Sequence, residues 1–259
     1  MIPERFSEFV PRLRWLVLLL VLTLGFAITQ IPATWAAYFM TQGNTLGMSG
    51  VNGTAWQGRA SMTSVEIDGI PYSLGELRWR LNPGSLLLLR PCANVVSELE
   101  RQRIEGRVCT SINGRVSVSD ASIDAPATLV QAGIPVPLDG QLAATISSMV
   151  LRGEQLHDLQ GRLSWTNARV QAEGSWTSLG SYASEFNYDG QGAIVAQVFD
   201  LDGPIDLDAT VTLPLTGGID IQGQMALTPA FSADIQAEEW LPLLLESPER
   251  YRYRLDLQL

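Results

Sequence analysis

The sequence predicts an all-β domain (a curved antiparallel sheet, a sandwich or an incomplete barrel) behind a single N-terminal transmembrane helix. Three observations carry that expectation. From Gly47 onward apolar residues recur with period two rather than 3.6. Turn signals rich in Gly, Pro, Asn and Asp punctuate the chain every 8–15 residues. Ahead of this pattern lies an apolar run, Trp15 to Ile28, interrupted only by Thr23 and Gly25.

The first element is this run. No charged residue occurs between Arg14 and Arg59. A bilayer core requires about 20 apolar residues, and extending the run to Met40 supplies them, with a kink or stop at Pro32. Arg5, Arg12 and Arg14 precede the run, which places the N-terminus in the cytoplasm and the remainder across the membrane. Trp15 at one edge and Trp35, Tyr38 and Phe39 near the other match an interfacial aromatic belt. The expected organisation is a cytoplasmic 1–14, an anchor and interfacial segment 15–40, and an exported β domain 45–259. A cleaved signal peptide, cut near Thr34-Trp35-Ala36, is the alternative and exports the same domain.

Strands follow in order. Ser61–Ile67 alternates, and in Leu74–Leu81 the side chains of Leu77, Trp79 and Leu81 oppose Glu76, Arg78 and Arg80. After the turn Asn82-Pro83-Gly84, Ser85–Leu89 reads as a compact apolar strand. Cys92–Leu99 and Ile104–Ile112 read as a hairpin that sets Cys92 and Cys109 on adjacent strands. In an exported, oxidising setting these two form a disulfide worth about 3 kcal/mol by chain entropy. Further strands are expected at Arg115–Ser119, Gly140–Ser147, Leu159–Trp165, Ala168–Trp176, Gly192–Asp200, Ile205–Leu213, Ile219–Leu227, Ser232–Ala237 and Tyr251–Leu259. Helical signals are few: Asp124–Gly133, with a capping Asp, an early Pro and a terminal Gly, and Glu238–Glu246 despite Pro242.

Charge restricts the function. The chain carries 27 acids against 17 bases, every base is arginine, and the net charge is −10. Nucleic acid is thereby disfavoured as a partner. Between Arg169 and Arg250 there is no base, against 13 acids from Glu173 to Glu249, which keeps an exported domain soluble or meets a basic partner. Asp200, Asp202, Asp206 and Asp208 surround Gly203-Pro204 without an EF-hand pattern; they read as a solvated strand face with Leu201, Ile205 and Leu207 inward. The single histidine, His157, stands beside Asp158, but neighbours on a strand point to opposite faces. No nucleophile elbow, Walker A or zincin motif occurs, so no catalytic, cofactor or metal site is assigned.

Tryptophans recur in glycine-rich strand contexts, as in Gly53-Thr54-Ala55-Trp56-Gln57-Gly58, Gly161-Arg162-Leu163-Ser164-Trp165 and Gly174-Ser175-Trp176. The expectation is that Trp56 is a core residue packed over glycines, with Trp79 in or beside the same core. Three of these segments carry a resemblance. Gly53-Thr54-Ala55-Trp56-Gln57-Gly58-Arg59-Ala60 resembles the G-T-x-W-x-G-x-A segment near the start of the periplasmic region in the type II secretion system protein N family. Leu77-Arg78-Trp79-Arg80-Leu81-Asn82-Pro83-Gly84-Ser85-Leu86-Leu87 is similar to that family's L-x-W-x-L-x-P-x-x-L-L. Leu159 to Ala168 is similar to its L-x-G-x-L-x-W-x-x-A, and resembles the AsmA-like group of periplasm-facing β proteins as well.

The resemblance implies an accessory inner-membrane component of the secretion assembly, not a catalyst. Its partners would be other secretion components of the inner membrane and periplasm. The alternative it implies is a lipid-handling protein with an apolar groove. An outer-membrane barrel is a third class, since the closing segment alternates; there Arg252 and Arg254 would have to face the lumen. In that closing segment Tyr251, Tyr253, Leu255 and Leu257 share a face, and the strand is expected at a sheet edge open to a partner strand.

Overall fold

A computed structural model describes residues 9–42, 45–67, 69–133, 136–153, 155–172 and 174–258. Its centre is one open antiparallel sheet of 15 strands among these residues. It is not a two-sheet sandwich, and its end strands do not pair to close a barrel.

Two helices come first. α1 is Phe9–Thr29 and α2 is Ala33–Thr41, with Pro32 at the N-cap of α2. Proline supplies no N–H and suits a helix start, so the chain breaks where Pro32 predicts. Among the described residues no helix is long and apolar enough to cross a membrane; the charge-free part of α1 starts only at Trp15. Residues 1–8, the first part of the expected cytoplasmic tail, lie outside the described residues.

The strands are β1 (Leu46–Ser49), β2 (Asn52–Gly53), β3 (Gln57–Ile67), β4 (Ile70–Asn82), β5 (Cys92–Leu99), β6 (Gln102–Thr110), β7 (Arg115–Pro126), β8 (Leu138–Arg152), β9 (Gln155–Ala172), β10 (Ser175–Tyr188), β11 (Ala193–Asp202), β12 (Ile205–Pro214), β13 (Asp220–Leu227), β14 (Glu246–Glu249) and β15 (Arg252–Gln258). From β3 to β13 each strand pairs with the next in sequence. At the far edge β15 inserts between β13 and β14. β1 and β2 lie side by side along β3 at the other edge.

Several expectations give way to local chemistry. Ser85–Leu89 is not a strand: α3 occupies Pro83–Leu87, started by Pro83 and by the Asn82 Oδ1, which accepts the Gly84 N–H at 3.0 Å. Ser232–Ala237 is likewise helical, in α4 (Pro229–Asp234) and the start of α5 (Ala237–Leu244). α5 matches the helix expected there, with Pro242 inside it. Leu159–Trp165 and Ala168 onward are one long strand, β9, rather than two; Asn167 at φ 50° makes a bulge, and the chain turns only at Gly174. Asp124 caps nothing. It lies in β7, and only Ala127–Gly133 is helical, as a 3-10 turn.

Helices cover the sheet at its ends. At one end Ala33 packs with Ala60, Leu77 and Trp79. At the other, Ala237 and Leu241 pack with Leu227 and Tyr253. Both clusters are small, and the strands between them are mostly half-buried.

Candidate interaction surface

Strand register sorts the side chains into two unlike faces. One row of register neighbours runs Trp79, Val95, Gly106 beside Ala121, Ile146, Gly161, Phe186, Ala196, Val211, Ile221 and Leu257, from β4 to β15. Every member is apolar or glycine. The row one residue over runs Arg78, Val96, Glu105, Ser122, Thr145, Arg162, Glu185, Gln197, Thr210, Gln222 and Asp256. It is polar at every position but Val96. Side chains alternate across a strand, so these rows lie on opposite faces of one sheet.

The apolar face is covered only in part. Trp79 and Tyr253 are buried where the end helices pack on the sheet. Leu163, near the middle of the face on β9, is 39% exposed. A cleft of about 740 Å³ opens where this face meets α4 and α5, lined by Val170, Leu179, Ile205, Met225, Phe231 and Trp240 among others. The polar face carries ion pairs such as Arg103–Glu98 at 2.7 Å and Arg162–Glu185 at 3.0 Å. Exposed pairs of this kind contribute little stability.

The tryptophan–glycine motifs divide by position. Trp79 is 3% exposed, and its ring lies against Gly58, where a Cβ would come within 2.3 Å of it. Trp56 is only half-buried, contrary to the core position expected for it. Its Nε1 donates to the Ile28 carbonyl at 2.8 Å, so it reaches back to the end of α1 instead of into the sheet. Gly53, at φ 98°, makes the turn that aims Trp56 there. Gly161 leaves room for the Phe186 ring. Trp165 is half-buried, and its Nε1 donates to the Asp139 carbonyl at 3.1 Å.

Cys92 and Cys109 are register partners on β5 and β6 and are joined by a disulfide. The C-terminal edge is not where the alternation placed it. β15 is paired on both sides, by β13 and by β14. Tyr253 and Leu255 are buried, Leu257 is half-buried, and Tyr251 stands in the turn before the strand at φ 65°. They are packing residues rather than an open edge, because the chain folds back as β14 to pair with Arg252 and Arg254. That short strand carries no alternating apolar signal that sequence could register.

The carboxylates form no cluster. Asp206 and Asp208 are exposed, and Asp200 Oδ1 accepts the Leu207 N–H at 2.9 Å. Leu201 is 55% exposed rather than inward. His157 is exposed, while its neighbour Asp158 accepts from Ser148 Oγ at 2.6 Å. Among the described residues no three His, Cys, Asp or Glu side chains are grouped to hold a metal ion.

Residues 44–249 match the family model of type II secretion system (T2SS) protein N. The chain belongs to the type II secretion system protein N family. That match runs from just before β1 through β14, so it takes in every strand of the sheet except β15. Among relatives, a type II secretion system protein N of Aeromonas hydrophila is 28% identical over 170 residues, 63% of this chain and 66% of that protein. Another, from Vibrio cholerae serotype O1, is 26% identical over 166 residues, 61% of this chain and 64% of that protein. The chain thus spans slightly less than two thirds of each relative's length. No solved structure matches it.

Proposed function

We propose that this chain is an accessory component of bacterial type II secretion, tethered to the inner membrane by α1 with its sheet in the periplasm, and that the sheet is a protein-interaction module. The observation that carries the proposal is the apolar row that crosses the sheet, all of it but Leu257 within the segment matched to the family, while the helices cover only its ends. Between the ends most of the row is only half-buried, and an apolar face left incompletely covered suits a binding face. Support for the tether comes from α1, whose large apolar side chains from Trp15 to Ile28 are 49–72% exposed with no protein packed over them. Arg14 at its head is placed to snorkel to the cytoplasmic headgroups, which shortens the apolar span required.

In vivo photo-crosslinking from Leu163 and Ala144 on the apolar face, against Thr145 on the polar face, tests the module. Adducts to other secretion components from the apolar face alone are expected. Their absence from both faces rejects the interaction role. A reporter fused after Met40 should be periplasmic and membrane-bound; a mature N-terminus near Ala37 would reject the tether.

A second reading, lipid handling, is favoured by one specific observation: the apolar row is unbroken, and Leu163, beside its β9 member on the same face, is 39% exposed, as in an open trough. Phospholipid that copurifies with the chain and is lost in Leu163→Arg would select it over the scaffold.

A further inference from the structure

α2 has two unlike sides. Ala33 and Ala37, one turn apart, are buried, and Ala33 packs against the cluster that holds Trp79. Small side chains let the helix lie close on the sheet. On the other side Trp35, Tyr38 and Phe39 follow the i, i+3, i+4 spacing of one helix face. They are 62%, 64% and 62% exposed, and the Tyr38 and Phe39 rings meet edge-on at 5.8 Å. No residue of α2 is charged. Indole and phenol carry both an apolar body and a polar tip, the chemistry enriched where hydrocarbon meets headgroups.

We propose that α2 lies flat in the membrane interface, with its alanine side on the sheet and Trp35, Tyr38 and Phe39 in the headgroup–acyl boundary of a phospholipid bilayer. The proposal rests on the reading of α1 as the tether. Its second support is the joint. α1 ends at Thr29 and α2 begins at Ala33. Between them Ala55 N–H donates to the Ile31 carbonyl at 2.8 Å, Trp56 Nε1 donates to the Ile28 carbonyl at 2.8 Å, and Pro32 pairs with Thr54. The two helices are therefore held at one angle by the same strand-end loop. The aromatic side begins six residues after α1's last residue, so it lies next to the end of the helix read as the tether. A bilayer is the occupant that both exposed helices share.

The test uses the full chain, with its native disulfide intact, in vesicles of phosphatidylethanolamine and phosphatidylglycerol. A nitroxide is placed at Tyr38→Cys or Phe39→Cys, and its collisions with oxygen and with a water-soluble nickel chelate are measured. Both labels should favour oxygen and report a depth of about 5–10 Å below the headgroups, while a label at Gln57→Cys on the sheet meets the chelate freely. Aqueous accessibility at 38 and 39 overturns the proposal. So does exclusion of both reagents or spin–spin broadening, which would mean that protein or a second copy covers the face. Leu20→Cys reads the tether separately: water at that site defeats the α1 reading, whereas labels 38 and 39 are judged on their own depths. With unlabelled protein, brominated lipid should quench tryptophan emission less in Trp35→Phe than in the parent, and equal quenching counts against the interface.

Discussion

The indole nitrogen of Trp56 donates a 2.8 Å hydrogen bond to the carbonyl oxygen of Ile28. That carbonyl lies in the last turn of α1, where backbone acceptors have no partner within the helix. The next residue back, Ala55, accepts the Trp79 Nε1–H at 3.2 Å while donating to Ile31. Two tryptophans thus connect the buried end of the sheet to the helix joint.

Trp56→Phe keeps the ring and removes the donor. The expected cost is about 1 kcal/mol, confined to the joint. Amides of α2 should exchange faster in the variant while β6–β13 are unchanged. Trp79→Ala should cost about 3–5 kcal/mol and unfold the N-terminal end of the sheet, as expected for a buried aromatic. Equal losses in the two variants would show that Trp56 is core after all.

Gly161→Ala tests a close approach near the middle of the apolar face. A Cβ there would stand 2.6 Å from the Thr145 carbonyl oxygen and 2.5 Å from the Phe186 ring. The ring can turn but the backbone cannot, so a loss of roughly 1–3 kcal/mol is expected in a denaturant titration. An unchanged midpoint would mean that β8 and β9 separate at no cost.

Removing the disulfide by Cys92→Ser with Cys109→Ser should cost about 2–4 kcal/mol, since the cross-link restrains the unfolded chain over a separation of 17 residues. Both thiols of the native, unreduced protein should resist alkylation. Hairpin β5–β6 should still pair in the variant, because its ladder runs from Cys92–Cys109 to Leu99–Gln102.

Tyr182 supplies a pH signature. Burial, with a smaller contribution from the nearby Asp200 carboxylate, pushes its phenol up to about 12, and its O–H donates to the Leu179 carbonyl at 2.6 Å. A folded-state value above the ordinary 10.0 means that the neutral phenol stabilises the fold. This contribution is complete below pH 10 and disappears as the pH climbs toward 12. Ultraviolet titration should find the Tyr182 phenol ionising above the ordinary tyrosine range, and Tyr182→Phe should remove that alkaline step from the stability profile.

The all-β class, the cysteine hairpin, the break at Pro32 and the helix at Glu238–Glu246 were legible because each rests on local chemistry: period, spacing, or a residue that fixes φ. Register was not local. Whether Gly106 comes beside Ala121, and whether Ile146 meets Gly161, depends on bulges at Glu105–Arg107 and Ile146–Ser148. Those bulges decide that eleven positions line up as one apolar row. All of β10 beyond Trp176 was missed because Gly180, Ser181 and Ser184 dilute its alternation, although Ser184 is among the buried residues. Trp56 and Trp79 look alike in sequence, and only the path of α1 separates a helix clasp from a core residue.

The order of the strands also sets the order in which the sheet can assemble. From β3 to β13 every strand finds its partner in the segment just before it, so pairing requires no search across the chain, and hairpins can be added one at a time from the N-terminal side. The exception is the far edge. β14 precedes β15 in the chain yet lies outside it, so the two form a local hairpin whose second strand, not its first, joins β13. Completion of this edge is therefore the docking of the final hairpin onto β13. A chain cut before Arg252 would present β13 bare, its Gly223 and Met225 backbone unpaired, as a sticky end for the next copy.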